Sequence, residues 1–173
     1  MNLVSSKVEY KGEPAPPAPP PVATKKLREV DVSDDDLSQA KRTLYSEFSN
    51  RPRPIEITAM LNVALNEAQR RKVPVQKVLQ DGNFFQGVTN KRYATSSELK
   101  GPDKEAYAFV SSVVDQAVEK GLDDHTKGAT HFVHVTSGPN KNAVVTMTEK
   151  EFEQYLKRKG KERDAYALSL VGL

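Results

Sequence analysis

The residue best suited to chemistry in this sequence is a single carboxylic acid, Glu47. It lies in a stretch with helical spacing of apolar residues, namely Leu37, Ala40, Leu44 and Phe48. At about 100° per residue, Glu47 projects close to Ala40, on the edge of that apolar stripe. A carboxyl half-inserted among apolar groups has its charged form disfavoured, which suits it to act as a general acid. The alternative that periodicity leaves open is a rim glutamate on an ordinary amphipathic helix.

Other catalytic groups are scarce. The chain has three histidines and no cysteine. His131 and His134 point to opposite sides of the strand predicted around them, so they cannot share a metal ion. Nothing has the spacing of metal ligands, of a Ser-His-Asp or Cys-His site, or of a glycine-rich phosphate loop. We therefore predict neither a metal nor any other cofactor.

A single acid limits the reactions that are possible. Ordinary glycoside hydrolysis uses two carboxylates about 5–9 Å apart, and the sequence offers no obvious second one. Glu56 and Asp81 are expected to be solvated. One acid is sufficient when the C6 hydroxyl of the sugar being cleaved attacks its own anomeric carbon, because one residue then protonates the leaving oxygen and later accepts a proton. That reaction leaves a 1,6-anhydro sugar.

Several helices and a hairpin must position Glu47. Ser33 is a good N-cap for its helix, with acidic residues in the first turn. The segment Ile55 to Arg71 is apolar on nearly all sides and is predicted to be a buried helix. Further helices are predicted after Pro74, from Pro102 to Lys120, and from the capping box of Thr148 and Glu151 through Lys159. Residues 130–136 and 143–147 predict a β-hairpin, so the fold class is α+β and mainly helical.

Four short sequence blocks follow one another along the chain: Leu44-Tyr45-Ser46-Glu47-Phe48, Val63-Ala64-Leu65-Asn66-Glu67, Gln80-Asp81-Gly82-Asn83-Phe84-Phe85 and Gly128-Ala129-Thr130-His131-Phe132. In their order and spacing they resemble blocks of the cell-wall hydrolases typified by the spore-cortex-lytic enzymes. The family usually has Ala at Phe48, Arg at Glu67 and a Gly-Glu-Pro turn in place of Asn50-Arg51-Pro52. The resemblance covers about Leu37 to His134. It implies a lysozyme-like or lytic-transglycosylase-like domain in which Glu47 is the single acid.

A substrate groove is expected between the Glu47 helix, the segment from Asp81 to Gly101 and the hairpin. Aromatic rings can stack on pyranose faces while amides bind hydroxyls, so the predicted substrate-binding residues are Phe84, Gln86, Tyr93, His131 and Phe132. Phe84 has the alternative role of pinning its loop to the core. His131 either hydrogen-bonds a sugar, orients Glu47, or is satisfied by the backbone.

The N-terminal residues 1–32 are predicted to be an extended, Pro-rich arm that serves as a spacer or docks on a partner protein. The hydrolase-like domain is assigned to residues 33–160 and a C-terminal tail to residues 161–173. At 173 residues with 37% hydrophobic and 28% charged content, the composition suits one globular domain plus a solvated segment.

Charge and hydropathy limit the partners. A formal charge of +3 with interspersed acidic and basic residues does not indicate nucleic-acid binding. No apolar run predicts a membrane span, and no signal-peptide core is visible. We expect a protein made in the cytoplasm that acts on peptidoglycan, as a bacteriophage virion-associated or lysis enzyme of lytic transglycosylase or muramidase type. The alternative is a catalytically inactive structural or adaptor protein of a virion or other assembly, bound through its arm.

Overall fold

The computed structural model describes residues 12, 14–18, 25–48, 51–89, 93 and 95–173. These residues form six α-helices and two antiparallel pairs of short strands, so the predicted mainly helical α+β class is confirmed. The elements are β1 (Lys25–Leu27), β2 (Val30–Val32), α1 (Asp34–Glu47), α2 (Pro54–Arg71), α3 (Val75–Leu79), α4 (Pro102–Lys120), β3 (His131–His134), β4 (Val144–Met147), α5 (Glu149–Leu156) and α6 (Lys161–Leu170). Two short 3₁₀ turns cover Gln86–Thr89 and Ser96–Glu98.

Helix α1 begins and ends where local chemistry requires. The Ser33 hydroxyl accepts a hydrogen bond from the Asp36 N–H, and the Asp36 carboxylate accepts one from the Ser33 N–H. This reciprocal capping satisfies two backbone donors that the first turn leaves without helical partners. At the other end, Phe48 takes an extended backbone conformation (φ −99°, ψ 122°). Glu47 is therefore the last helical residue, and its side chain leaves the helix at its C-terminal end.

Helix α2 is the central element, as predicted from its apolar sequence. Its apolar side chains join the main core with those of α1, α3 and α4. Ile57 and Met60 have no exposed surface, and burying a side chain of this size contributes about 1.5–3 kcal/mol. The buried polar residues of α2 all have partners, and the carboxylate of Glu56 accepts a hydrogen bond from the Val144 N–H at 2.9 Å. That bond joins the start of α2 to β4.

The β3–β4 hairpin separates two apolar clusters. His131 pairs with Met147 and His134 with Val144 in antiparallel register. Because side chains alternate along a strand, Phe132 and Val144 pack on the main core, whereas Val145 and Met147 pack on a smaller cluster with Ala167 of α6. The hairpin was predicted, and its two faces contribute side chains to different clusters.

Folded structure extends beyond the predicted domain at both ends. Leu27 and Val32, in the β1–β2 hairpin, are each 2% exposed and belong to the main core. Helix α5 ends at Leu156 rather than Lys159, and Gly160 precedes α6 in the stretch expected to be a tail. Strands β1 and β2 were not predicted, because each is three residues long and too short for an alternating pattern to be recognised.

Most of the predicted arm lies outside the described residues; residues 14–18 are exposed and have no regular secondary structure. None of the helices in the described part of the chain is long and apolar enough to cross a bilayer.

Candidate functional site

The Glu47 side chain is enclosed, with 6% of its surface exposed. Three elements meet around it: the end of α1, the 3₁₀ turn Gln86–Thr89, and strand β3. Its Oε1 atom accepts a hydrogen bond from the Gly87 N–H at 2.5 Å. Its Oε2 atom lies 3.7 Å from Nε2 of His134. The two oxygens therefore have different surroundings, one fixed by a backbone donor and the other beside an imidazole.

The close approach of the 3₁₀ turn to α1 requires glycine at position 87. A Cβ added to Gly87 would lie 2.8 Å from the carbonyl carbon of Ser46 and 2.9 Å from Oε1 of Glu47, and it would also overlap the Ser46 hydroxyl. That hydroxyl is itself fixed, because it donates to the Thr43 carbonyl oxygen at 2.7 Å. A turn with a side chain at this position would be pushed away from Glu47.

Two depressions meet at Glu47, and we call them together the central groove. One has a volume of about 560 Å³ and is lined mainly by aromatic rings from the 83–86 segment, β3 and α5. The other, of about 410 Å³, is more polar and includes Thr89 and Asn142. Both are lined by Glu47, Gln86 and His134, which places the carboxyl at their junction. The groove lies between the elements that the sequence predicted.

The aromatic half of the groove has two walls. Phe132 stacks on the fully buried Phe85 at 5.3 Å between ring centroids and meets the edge of Phe84 at 5.8 Å. On the other wall, His131 stacks on Phe152 at 4.2 Å with an interplanar angle of 12°. The rings are held by one another and by the core, so they present fixed apolar surface to a ligand.

The two strand histidines have different positions. His131 lines the aromatic half of the groove, and its Nδ1 lies 3.0 Å from the Thr130 hydroxyl. Burial holds the pKa of His131 below its ordinary value, although nearby carboxylates oppose the shift. It is His134, on the opposite face of β3, that lies beside Glu47. The sequence pattern contained this signal, because strand alternation places His134 on the same face as Phe132.

Four of the predicted binding residues line the central groove, namely Phe84, Gln86, His131 and Phe132. Tyr93 is placed elsewhere. Its hydroxyl is hydrogen-bonded to the Gln39 amide, and the Arg42 guanidinium lies 4.2 Å above its ring. Tyr93 thus packs on the α1 surface against Gln39 and Arg42, about one and a half to two helical turns before Glu47.

Glu47 is the sole carboxylate among the described residues that line the central groove. Glu67 is buried elsewhere and is bound by Arg70 and Arg71. Burial alone would raise the pKa of Glu67, but hydrogen bonds from the two guanidiniums keep it below its ordinary value. Glu56, expected to be solvated, is instead buried. Within the described chain, no group of three or more acidic, histidine or cysteine side chains has the arrangement of a metal site.

Two of the quoted sequence blocks meet in the structure through Asn66. Its amide donates to the Ala129 carbonyl oxygen at 2.9 Å and to the Asp124 carboxylate at 3.0 Å, and its oxygen accepts from Arg28 at 2.6 Å. This network fixes the loop that leads into β3. The position of the β3 residues at the groove therefore depends on an amide in the buried helix.

Comparison of the chain with protein-family models, with curated proteins and with solved structures found no match.

Proposed function

We propose that this protein cleaves the glycan strands of peptidoglycan and that Glu47 is its single catalytic acid and base. The observation that carries the proposal is the position of Glu47: an enclosed carboxyl at the junction of a groove with an aromatic half, with no other carboxylate among the described lining residues. Enclosed carboxyls beside apolar surface are suited to proton donation. The resemblance of the four sequence blocks to cell-wall hydrolases supports the same substrate and a lysozyme-like or lytic-transglycosylase-like domain.

The two oxygens of Glu47 take different roles in this mechanism. Oε1 accepts from the Gly87 N–H, so the proton to be donated resides on Oε2, beside His134. Oε2 protonates the glycosidic oxygen as the bond to the anomeric carbon breaks. The C6 hydroxyl of the muramic acid residue attacks that carbon, and its proton passes to Glu47. The products are a 1,6-anhydro sugar and a free hydroxyl on the neighbouring sugar, and the acid is regenerated.

The surroundings of Glu47 supply binding and orientation. Phe84 and Phe132 offer ring surface for a pyranose face, and Gln86, which borders both halves of the groove, offers an amide to sugar hydroxyls. His134 is a positioning residue for the acid, because its Nε2 lies 3.7 Å from Oε2 of Glu47, and its ring also borders both halves of the groove. Holding the acid within a fraction of an ångström of its productive position is the main contribution of such residues.

A second candidate is a structural or adaptor role on the same fold. The exposed, irregular backbone of residues 14–18 favours it, since an extended proline-rich segment loses little entropy on binding a partner. The two functions are compatible in a bacteriophage virion component that opens the wall, and that setting is part of our proposal.

The decisive experiment is incubation of purified protein with peptidoglycan sacculi, alongside Glu47→Gln, which keeps the size of the side chain and removes its acid. We expect wild type to release muropeptides ending in 1,6-anhydro sugars by mass spectrometry, and Glu47→Gln to lose at least about 10²-fold in rate.

Absence of any release by folded wild type contradicts the enzymatic proposal and leaves the adaptor role. Equal release by both proteins contradicts the assignment of Glu47. Products with reducing muramic acid ends contradict the intramolecular attack while retaining the acid.

A further inference from the structure

Beside the polar half of the central groove lies a third depression, of about 370 Å³, which we call the basic pocket. Its charged lining residues are Arg51, Arg53, Lys141 and Glu56. It adjoins the central groove at Asn142, which lines both. A ligand that extends from Glu47 past Asn142 therefore enters a surface with three cationic side chains and one acidic side chain.

Glu56, the one acidic side chain that lines the basic pocket, already has hydrogen-bond partners within the fold. Glu56 accepts hydrogen bonds from the Val144 N–H at 2.9 Å and from the Arg53 N–H at 3.0 Å, and it pairs with the Arg53 side chain. Burial opposes its charge, but these donors keep the pKa of Glu56 below its ordinary value. Its charge is thus largely satisfied inside the fold, and it offsets Arg53 rather than the other two cations.

Arg51 and Lys141 differ from Arg53 in having no carboxylate partner among the described residues. Both are exposed, and neither forms an ion pair with any of the described residues. The Arg51 guanidinium lies 4.5 Å above the ring of Phe109. Stacking on a ring holds the guanidinium by its face and leaves the N–H donors around its edge to bind an anion. An arginine so held loses less freedom on binding than one on a flexible surface.

We infer that the basic pocket binds a carboxylate-bearing substituent of the glycan strand, next to the bond that Glu47 cleaves. This inference rests on the proposed function and adds the orientation of the glycan strand. The aromatic half of the groove binds sugar faces, and the carboxylate lies beyond the polar half, in the basic pocket. In peptidoglycan, such a carboxylate belongs either to the stem peptide or to the lactyl ether of a muramic acid without a peptide. Uncharged N-acetylglucosamine polymers lack both.

The test measures binding without turnover. In a Glu47→Gln background, fluorescence anisotropy is recorded with three labelled probes: glycan strands bearing stem peptides, amidase-treated strands that keep only the lactyl carboxylate, and chitin oligosaccharides. The double variant Arg51→Gln with Lys141→Gln is compared with a matched control, Lys104→Gln with Lys120→Gln, which removes two charges from exposed positions of α4 that do not line the three depressions.

We expect the pocket variant to weaken binding of carboxylate-bearing strands by about fivefold to twentyfold, as two partly exposed ion pairs would. Binding of chitin oligosaccharides should change less than about twofold, and the control should match the background. Loss with peptide-bearing strands alone identifies the stem peptide as the source, and loss with amidase-treated strands alone identifies the lactyl group. Loss with both charged probes shows that the pocket accepts a carboxylate from either source.

Two results would overturn the inference while the proposed function stands: equal binding of all probes by pocket and control variants, or an equal loss for charged and uncharged probes. If no probe binds and sacculi remain intact with folded wild type, the proposed function fails and this inference fails with it. Release of muropeptides from sacculi separates these cases.

Discussion

Substitution of Gly87 by alanine is a sharp test of how the acid is held. The added methyl would lie 2.8 Å from the Ser46 carbonyl carbon, which belongs to the backbone of α1 and cannot rotate away. The 3₁₀ turn must therefore move outward, which lengthens the 2.5 Å hydrogen bond from the Gly87 N–H to Glu47. Inserting a methyl into a packed contact costs about 1–3 kcal/mol. For a domain of this size we expect Tm to fall by roughly 2–10 °C.

The effect on catalysis should exceed the effect on stability. A displacement of about 1 Å at a catalytic group can reduce the rate by about 10²-fold, and the variant also weakens the hydrogen bond from the residue 87 N–H to Oε1. We expect muropeptide release by Gly87→Ala to fall by about that factor at temperatures where the variant remains folded. Rates on sacculi and thermal unfolding followed by circular dichroism measure the two effects separately.

Gly82→Ala is the matched control. Its added methyl would also lie 2.9 Å from a neighbour, but that neighbour is the Cγ2 methyl of the exposed Thr89 side chain and not backbone. Thr89 can rotate away at the cost of the hydrogen bond from its hydroxyl to the Gln86 carbonyl. We expect a Tm change within about 2 °C and a rate within about twofold of wild type. Full activity and an unchanged Tm for Gly87→Ala would refute the claim that the close approach of the turn positions Glu47.

Two further variants test the supports of the groove. Asn66→Ala removes the donor to the Ala129 carbonyl and should lower the free energy of unfolding by about 1–3 kcal/mol. Gln69→Ala, on the exposed side of α2, is the control and should change it little. Equal denaturation midpoints for the two variants would contradict the stabilising role of the Asn66 network. Burial alone would raise the pKa of Asp164, but hydrogen bonds from the 136–137 backbone and hydroxyls hold it below its ordinary value. A lowered folded-state pKa stabilises the fold above the unfolded value and loses that contribution as pH falls through the folded one. Asp164→Asn should therefore be less stable at pH 7 and show a shallower decline in acid than wild type or Glu162→Gln, and parallel acid limbs would contradict this role.

Several elements could be predicted because their causes are local. The N-cap at Ser33, the termination of α4 after Lys120 and the β3–β4 hairpin each follow from residues within a few positions. The β1–β2 hairpin and α6 could not, because their stability comes from contacts with distant elements. Leu27 is buried by the main core, and α6 is joined to the 136–137 turn by Asp164.

The sequence by itself determined that Glu47 would lie on the edge of an apolar helix face, since that follows from spacing in one helix. The tertiary structure decided what surrounds the carboxyl. Gly87 lies forty residues further along the sequence, and His134 lies on β3, whose preceding loop is fixed by the Asn66 network. It also placed Tyr93 against α1 and away from the groove. Periodicity specifies which way a side chain points from its own element, whereas its neighbours depend on how distant elements pack, and packing is a property of the whole chain.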